Sequence, residues 1–211
     1  MTMAFLLIQI IILLMSVIIH EVSHGTVAYM LGDPTAKYAK RLSLNPIRHL
    51  DLWGSFLVPL FLLIVRSPVL FGWAKPVPYN PYNLKYQKWG PALVAGAGPG
   101  ANLFIALVFG LLLRFIPWTH STFSYALIQV FSLIVILNIL LAVFNLVPIP
   151  PLDGSKILFT LIPSRFSHVQ LFLERYGFFI LLFFIFFLFQ YIFPLVFLIF
   201  KLIVGQPFLI F

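Results

Sequence analysis

The feature that most restricts the fold is an apolar segment, residues 4–31, that carries two histidines and a glutamate within it. A helix of that length can cross a hydrocarbon layer of roughly 30 Å with some tilt. Ionisable side chains in such a segment carry a large desolvation cost unless they are paired or bind something. The segment therefore predicts a membrane helix that contains a functional site and ends at Gly32-Asp33-Pro34.

The ionisable residues form the sequence His20-Glu21-Val22-Ser23-His24. On a helix His20 and His24 are four residues apart, so both rings can reach one ion. Glu21 borders the same face, where a carboxylate can take a proton from a metal-bound water. A chance match is the competing interpretation, but the chain has only 5 acidic residues and 5 histidines. Because intramembrane ionisable groups are usually functional, metal binding is favoured.

Composition places the whole chain in a membrane. Apolar residues make up 62% of it, charged residues only 9%, and 25 residues are Phe, which suits a surface that faces lipid. The net charge of +8 could indicate nucleic-acid binding, but the sequence has no basic helix and no interleaved aromatic and basic residues. The charge therefore indicates basic loops on one side of a bilayer. With no cysteine, a metal must be bound by His, Asp or Glu. The N-terminus lacks the basic region of a signal peptide.

Later apolar segments predict an all-α polytopic membrane protein with one integral-membrane domain, residues 1–211. Spanning helices are expected at 91–116 and 123–147, and an aromatic stretch at 178–203 predicts C-terminal helices that bend near Pro194. These segments amount to about four to six membrane helices. A stripe on the second span favours close helix packing over a nucleotide loop: Ala95, Gly98, Asn102, Ala106 and Gly110.

Two kinds of segment are not expected to cross the membrane. Residues 52–65 are apolar but short and contain Pro59, so they predict a re-entrant or interfacial segment. Short extended or β segments are expected at the membrane surface. Residues 39–44 alternate in polarity, and the prolines of residues 71–81 prevent a helix there.

A catalytic zinc ion takes three protein ligands and keeps one position open, so a third ligand is needed. Asp153 is the favoured candidate, because prolines break a membrane helix just before it and Gly154 allows close backbone approach. The competing interpretation is an ordinary turn aspartate at a helix end. The other candidates are Asp33, His49, Asp51, His120, His168 and Glu174.

A shared metal also restricts the topology. The two histidines lie toward the end of the first helix and Asp153 follows the helix 123–147, so these helices must run in the same direction. With 91–116 running oppositely between them, residues 52–65 cannot cross. The positive-inside rule then places the site nearer the cytoplasmic side of a cell membrane, because that side holds the basic loops 33–51, 66–90 and 154–176.

Five pieces of the sequence resemble the site-2 protease family of intramembrane zinc metalloproteases, in its small form without a PDZ domain. They are HEVSHG (20–25), GDPTAKYAKRLSLNP (32–46), FGWAKPVPYNP (71–81), AGPGAN (97–102) and FNLVPIPPLDG (144–154). The pieces occur in order from the first helix to residue 154, and the first and last are highly specific.

The resemblance implies one zinc ion per chain, with His20, His24 and Asp153 as its ligands and Glu21 as the catalytic base. It also implies polar positions near the site at Asn102 and Asn145. These two amides are expected either to position the oxyanion or the substrate or to hold helices together.

The predicted function is a zinc-dependent intramembrane endopeptidase that cleaves membrane-spanning or membrane-associated peptides, with Glu21 acting on zinc-bound water. The expected partners are such a peptide and the lipid bilayer, with no nucleic acid; an oligomer is compatible with the sequence but not deduced from it. The alternative is a divalent-metal transporter that uses the same histidines as a transport site. Transporters usually show internal symmetry, which is not evident in this sequence.

Overall fold

The structure, a computed structural model, describes residues 3–65, 74–117 and 121–205, and every regular element in that part of the chain is helical. The α-helices are α1 (Met3–Met30), α2 (Thr35–Tyr38), α3 (Val58–Ile64), α4 (Gly90–Phe115), α5 (Thr122–Asn145), α6 (Asp153–Leu161), α7 (Ser167–Phe183) and α8 (Ile192–Val204). Short 3-10 or π-helical turns lie at Pro46–His49, Leu52–Leu57, Pro81–Asn83, Ser164–Phe166, Phe184–Leu188 and Phe189–Tyr191.

Helical stretches in the described residues are long and apolar enough to cross a membrane in four places. They are Phe5–Met30, Gly90–Phe115, Thr122–Asn145 and Ser167–Val204, the last of which joins α7 to α8. Many large apolar side chains on these stretches point away from the protein, as lipid-facing residues do. The prediction of an all-α polytopic membrane protein is confirmed, and α4 and α5 begin and end within two residues of their expected bounds.

Helix α1 ends in a glycine cap that determines where the following loop starts. Gly32 has a φ of 103°, a left-handed conformation that favours glycine. Its N–H donates to the carbonyl of Tyr29, and the N–H of Asp33 donates to the carbonyl of Ala28 at 2.9 Å. This pair of bonds is the Schellman arrangement. Asp33 is therefore held in a defined position at the end of the helix.

Helix α4 lies at the centre and packs against α1, α5, α6 and α8. The small-residue stripe on this helix is buried along its whole length, from Ala95 to Gly110. At Gly110 a side chain would collide with Ile203 of α8. Farther from the site, a buried cluster joins α4, α5 and α8: Ala106, Leu113, Val135, Ile139, Ile192, Val196, Phe200 and Val204.

Contacting residues show that α1 and α4 are antiparallel. His24, near the end of α1, contacts Val94 near the start of α4. His20, one turn earlier in α1, contacts Asn102, two turns later in α4. The chain between the two helices therefore begins and ends on the same side of the helix bundle.

Helix α5 runs parallel to α1. The Asn138 amide donates to the hydroxyl of Ser16 at 2.9 Å. Asn145, two turns farther along α5, lines the same cavity as His20, one turn farther along α1. The end of α5 therefore lies beside the two histidines, at the level where the chain continues toward Asp153.

Residues 52–64 form one short irregular helix, a π-helical turn at Leu52–Leu57 followed by α3. The Asp51 carboxylate caps its start by accepting from the N–H of Gly54 at 2.7 Å. At about 1.5 Å per residue this helix is about 20 Å long, which is shorter than the roughly 30 Å of a hydrocarbon core. Its large side chains, such as Trp53 and Phe61, are exposed.

The surface segments differ in part from expectation. Residues 39–44 form no strand, since Lys40 adopts a φ of 55° and the N–H of Arg41 bonds back to the carbonyl of Ala36. The end of α2 thus uses the donors that a strand would need. Residues 74–80 have no regular secondary structure, while 71–73 lie outside the described residues.

The irregular part of the C-terminal helical stretch lies before Pro194, the residue at which a bend is predicted. The irregular turns occupy residues 184–191, and Pro194 is the third residue of α8. In the first turn of a helix an N–H has no partner within that helix, so proline is tolerated there.

Candidate metal centre and active site

Three side chains from two helices converge on one point. Asp153 Oδ2 lies 3.1 Å from His20 Nε2 and 3.0 Å from His24 Nε2. The two Nε2 atoms lie 3.0 Å apart. All three residues are buried. In the described residues this is the cluster of His, Asp and Glu side chains that could hold a metal ion.

Asp153 reaches the histidines because the chain turns sharply between α5 and α6. The turn is closed by a bond from the N–H of Leu152 to the carbonyl of Ile149 at 2.9 Å. A side chain at residue 154 would collide with the carbonyl of Leu146, so Gly154 is needed for this close approach. Asp153 is the first residue of α6, where the helix dipole stabilises a carboxylate.

Each histidine ring is oriented through its other nitrogen. His24 Nδ1 donates to the carbonyl of Val94 at 2.7 Å. His20 Nδ1 lies 3.2 Å from Asn102 Oδ1, which can accept from it. With both Nδ1 atoms protonated, both Nε2 lone pairs point toward Asp153. Metal-binding histidines in proteins are usually held in this way.

The fit of a zinc ion can be judged from the donor atoms and the backbone around them. At Gly98 a Cβ would lie 2.5 Å from His24 Nε2 and 2.6 Å from His20 Nε2, so only glycine lets α4 approach both rings. Two imidazole nitrogens and one carboxylate oxygen form a common catalytic zinc set. With bonds of about 2.0–2.1 Å, tetrahedral ligands lie roughly 3.3 Å apart, close to the observed spacing. The residues therefore fit zinc.

Glu21 lies beside the three ligand candidates and is not part of their cluster. Its Oε2 accepts a hydrogen bond from the backbone N–H of Val77 at 2.9 Å. Together with the histidines and Asp153 it lines a cavity of about 170 Å³, whose wall also contains Tyr79. A carboxylate beside a metal position in a small cavity is suited to proton transfer.

The two amides predicted near the site have different surroundings. Asn102 is fully buried, and its Nδ2 has no hydrogen-bond partner in the part of the chain that the structure describes. Its oxygen faces His20, so it is placed to orient that ring. Asn145 lines the cavity, and its Nδ2 donates to the carbonyl of Leu141 at 2.9 Å.

The other candidates for the third ligand lie elsewhere. Asp33 contacts the loop at residues 80–83, and Asp51 caps the helix at residues 52–57. His49 contacts the carbonyl of Ser43, and Glu174 accepts from Gln170. His168 lies beside the Phe166 ring, and His120 falls outside the described residues.

Sequence reasoning missed two contributors to the site. Lys156 lines the cavity, and its Nζ lies 3.5 Å from Asp153 Oδ1. Its position three residues after Asp153 on a helix was an available signal, because such residues share a face. The backbone N–H of Val77 gave no signal, since any residue except proline supplies one.

Comparison with known proteins identifies a peptidase family and two related proteins. Peptidase family M50 matches residues 115–188, which contain Asp153 but not the two histidines. Putative zinc metalloprotease YwhC of Bacillus subtilis is 39% identical over 82% of this chain and 77% of its own length. Putative zinc metalloprotease Rip2 of Mycolicibacterium smegmatis is 31% identical over 67% of this chain and 52% of its own length.

No solved structure matches the chain. The identity to YwhC extends over most of both proteins, beyond the segment that the family description matches. The chain therefore belongs to peptidase family M50, the site-2 protease family, and is a metalloendopeptidase of that family.

Proposed function

We propose that this protein is a zinc-dependent intramembrane endopeptidase that hydrolyses peptide bonds of membrane-spanning or membrane-associated substrates. One zinc ion per chain would be held by His20, His24 and Asp153. The observation that carries the proposal is the convergence of these three donor atoms in a buried cavity that also contains the Glu21 carboxylate.

Hydrolysis requires that one proton leave the attacking water and that one reach the leaving nitrogen. A bound zinc ion supplies Lewis acidity, which lowers the pKa of water to roughly 7 and polarises a peptide carbonyl. Glu21 takes the proton from water and delivers it to the nitrogen as the C–N bond breaks. Since Oε2 is held by the N–H of Val77, Oε1 is the oxygen available for this transfer.

The surrounding residues position these groups. Asn102 holds the His20 ring with Nε2 toward the metal position, and Val94 does the same for His24. Asn145 is the amide that lines the cavity itself, so it is the better candidate to donate to the substrate. To do so its NH₂ group must keep one hydrogen free of its bond to Leu141.

The site lies in a multi-pass membrane protein, and the helix directions support a position near the cytoplasmic side of the cell membrane. Because α1 and α4 are antiparallel, the chain between them returns to the side from which it started. Residues 52–65 would then be a re-entrant or interfacial segment that does not cross the membrane. Basic residues are concentrated in the same connection, among them Lys37, Lys40 and Lys85. Short basic loops remain in the cytoplasm.

The test is cleavage of a transmembrane peptide by the protein in proteoliposomes. Glu21→Gln should keep its zinc and lose activity by about 10²–10⁴-fold, the usual contribution of a general base. Glu174→Gln is the matched control, because Glu174 is exposed on α7 and away from the site. Unchanged cleavage by Glu21→Gln would reject the assignment, and zinc flux without any cleavage would favour the transporter.

A further inference from the structure

The segment 75–80, named the strap here, donates hydrogen bonds to the rest of the protein from three backbone N–H groups, those of Lys75, Val77 and Asn80. Lys75 donates to the carbonyl of His49 at 2.9 Å. Val77 donates to Glu21, and Asn80 donates to Asp33 Oδ2 at 2.6 Å. Pro76 and Pro78 have no N–H group. The strap is therefore fixed at both ends, with the contact to Glu21 in the middle.

Asp33 is a buried carboxylate that the catalytic scheme does not use. Its relative exposure is 0%. Besides Asn80 it accepts hydrogen bonds from the Asn83 amide at 2.9 Å and from the hydroxyl of Thr35 at 2.6 Å. The N–H of Thr35 adds another at 3.2 Å. Of these four donors, one belongs to the strap, at Asn80, and one to the loop that continues directly from it, at Asn83.

The strap also lies directly on helix α1. At Gly25 a Cβ would lie 2.6 Å from Val77 Cγ1 and 2.8 Å from Leu42 Cδ2, so the strap occupies the space that a side chain would take. Gly25 is four residues after Glu21 on the same helix face. Val77 is itself buried. The packing of Val77 against Gly25 therefore keeps its N–H beside the Glu21 carboxylate.

We infer that Asp33 is a positioning residue for Glu21, and that it acts through the strap. By fixing Asn80 and Asn83 against the capped end of α1, Asp33 holds the Val77 N–H where it restrains Glu21 Oε2. Because Glu21 lines the cavity, this restraint on Oε2 would leave Oε1 for the proton transfer there. A restrained base loses less conformational freedom in the transition state, which raises kcat more than it changes substrate affinity. This inference rests on the proposed function.

The test compares Asp33→Asn with Thr35→Val in the zinc-loaded, full-length protein. Asn keeps the size of Asp but loses one acceptor, so its contact with the Asn80 N–H or the Asn83 amide is broken. Thr35→Val removes the hydrogen bond from the Thr35 hydroxyl to the Asp33 carboxylate, and this bond does not involve the strap. Asp33→Asn should lower kcat at least roughly ten-fold, with KM and zinc content unchanged, while Thr35→Val should retain most of the activity.

Hydrogen exchange at the Val77 amide provides a measurement that does not depend on cleavage. It should accelerate in Asp33→Asn and in Glu21→Ala, but not in Thr35→Val. Asn83→Ala removes one hydrogen bond between Asp33 and the loop, so it should accelerate Val77 exchange and lower kcat by less than Asp33→Asn does. This variant tests the inference if Asp33→Asn does not fold. Wild-type kcat in Asp33→Asn, or equal losses in Asp33→Asn and Thr35→Val, would overturn the inference.

Failure of the proposed function is distinguishable from these outcomes. It would appear in the wild-type protein, as absence of cleavage with zinc bound. The role of Asp33 in catalysis would then be rejected as well, and Val77 exchange would still report whether the strap restrains Glu21.

Discussion

Lys156 Nζ lies 3.5 Å from Asp153 Oδ1, the carboxylate oxygen that does not face the two histidines. The two oxygens of Asp153 thus have separate partners, the histidine nitrogens on one side and an ammonium group on the other. The Lys156 ammonium also lies over the ring of Tyr79, 5.6 Å from its centroid. This arrangement orients the carboxylate before a metal is bound.

Lys156→Met should therefore weaken zinc binding without abolishing it. Outer partners of metal ligands typically contribute a factor of about 10–100 in metal affinity, and the lower end is expected because the Lys156 side chain is 39% exposed. The measurement is zinc affinity by competition with a chelator in detergent. Lys156→Arg should retain most of the affinity, and a Met variant with wild-type affinity would contradict the orienting role.

Gly98→Ala should disturb the metal site more than any neighbouring glycine substitution in α4. The added Cβ would meet both histidine Nε2 atoms, so the helix must move or the rings must turn. Gly96→Ala and Gly100→Ala are matched controls, because a Cβ at either position meets nothing within 4 Å. We expect only Gly98→Ala to lose zinc, measured as bound metal per purified chain. Equal zinc content in all three variants would contradict this prediction.

Gly98 and the two histidines differ in how far their roles can be predicted from the sequence. The pair His20 and His24 follows from helix geometry alone, because residues four apart share a face. Asp153 is predicted from the prolines that break the preceding helix. Gly98 was assigned to helix packing in general, since its contact with the rings depends on how α4 lies against α1, which no local pattern specifies.

The strap was beyond prediction for a related reason. Its prolines correctly excluded a helix at residues 74–80, but the partners of its N–H groups are set by tertiary contacts with Glu21 and Asp33. At residues 39–44 the polar alternation suggested a strand, and the positive φ of Lys40 instead ends a short helix. Alternation over so few residues is a weak indicator of a strand.

The Asn138–Ser16 hydrogen bond should contribute to stability but not to catalysis. It joins α5 to α1 at buried positions, one turn before His20 on α1. Hydrogen bonds between membrane helices contribute about 0.6 kcal/mol on average and up to about 2 kcal/mol. Unfolding of Asn138→Ala, Ser16→Ala and the double variant should yield a coupling energy in that range. Zinc affinity should be unchanged; a coupling energy of zero would show that the contact does not stabilise the bundle.

The buried carboxylate of Asp33 predicts how stability depends on pH. Burial alone would raise the pKa of Asp33, but hydrogen bonds from Thr35, Asn83 and Asn80 outweigh it and lower the pKa below its ordinary value. The stabilisation is therefore fully present above the unfolded-state pKa of about 4 and is lost as pH falls through the folded-state value. The groups bonded to this carboxylate are uncharged, so their own titration does not enter.

The measurement is the difference in unfolding temperature between wild type and Asp33→Asn, with both proteins kept metal-free so that zinc release does not contribute. Wild type should be more stable at pH 7, and the difference should stay constant down to about pH 5. Below about pH 4 the difference should shrink, because protonation of Asp33 removes an acceptor as the substitution does. A difference that is the same at pH 7 and pH 3 would show that the ionised carboxylate does not hold the loop.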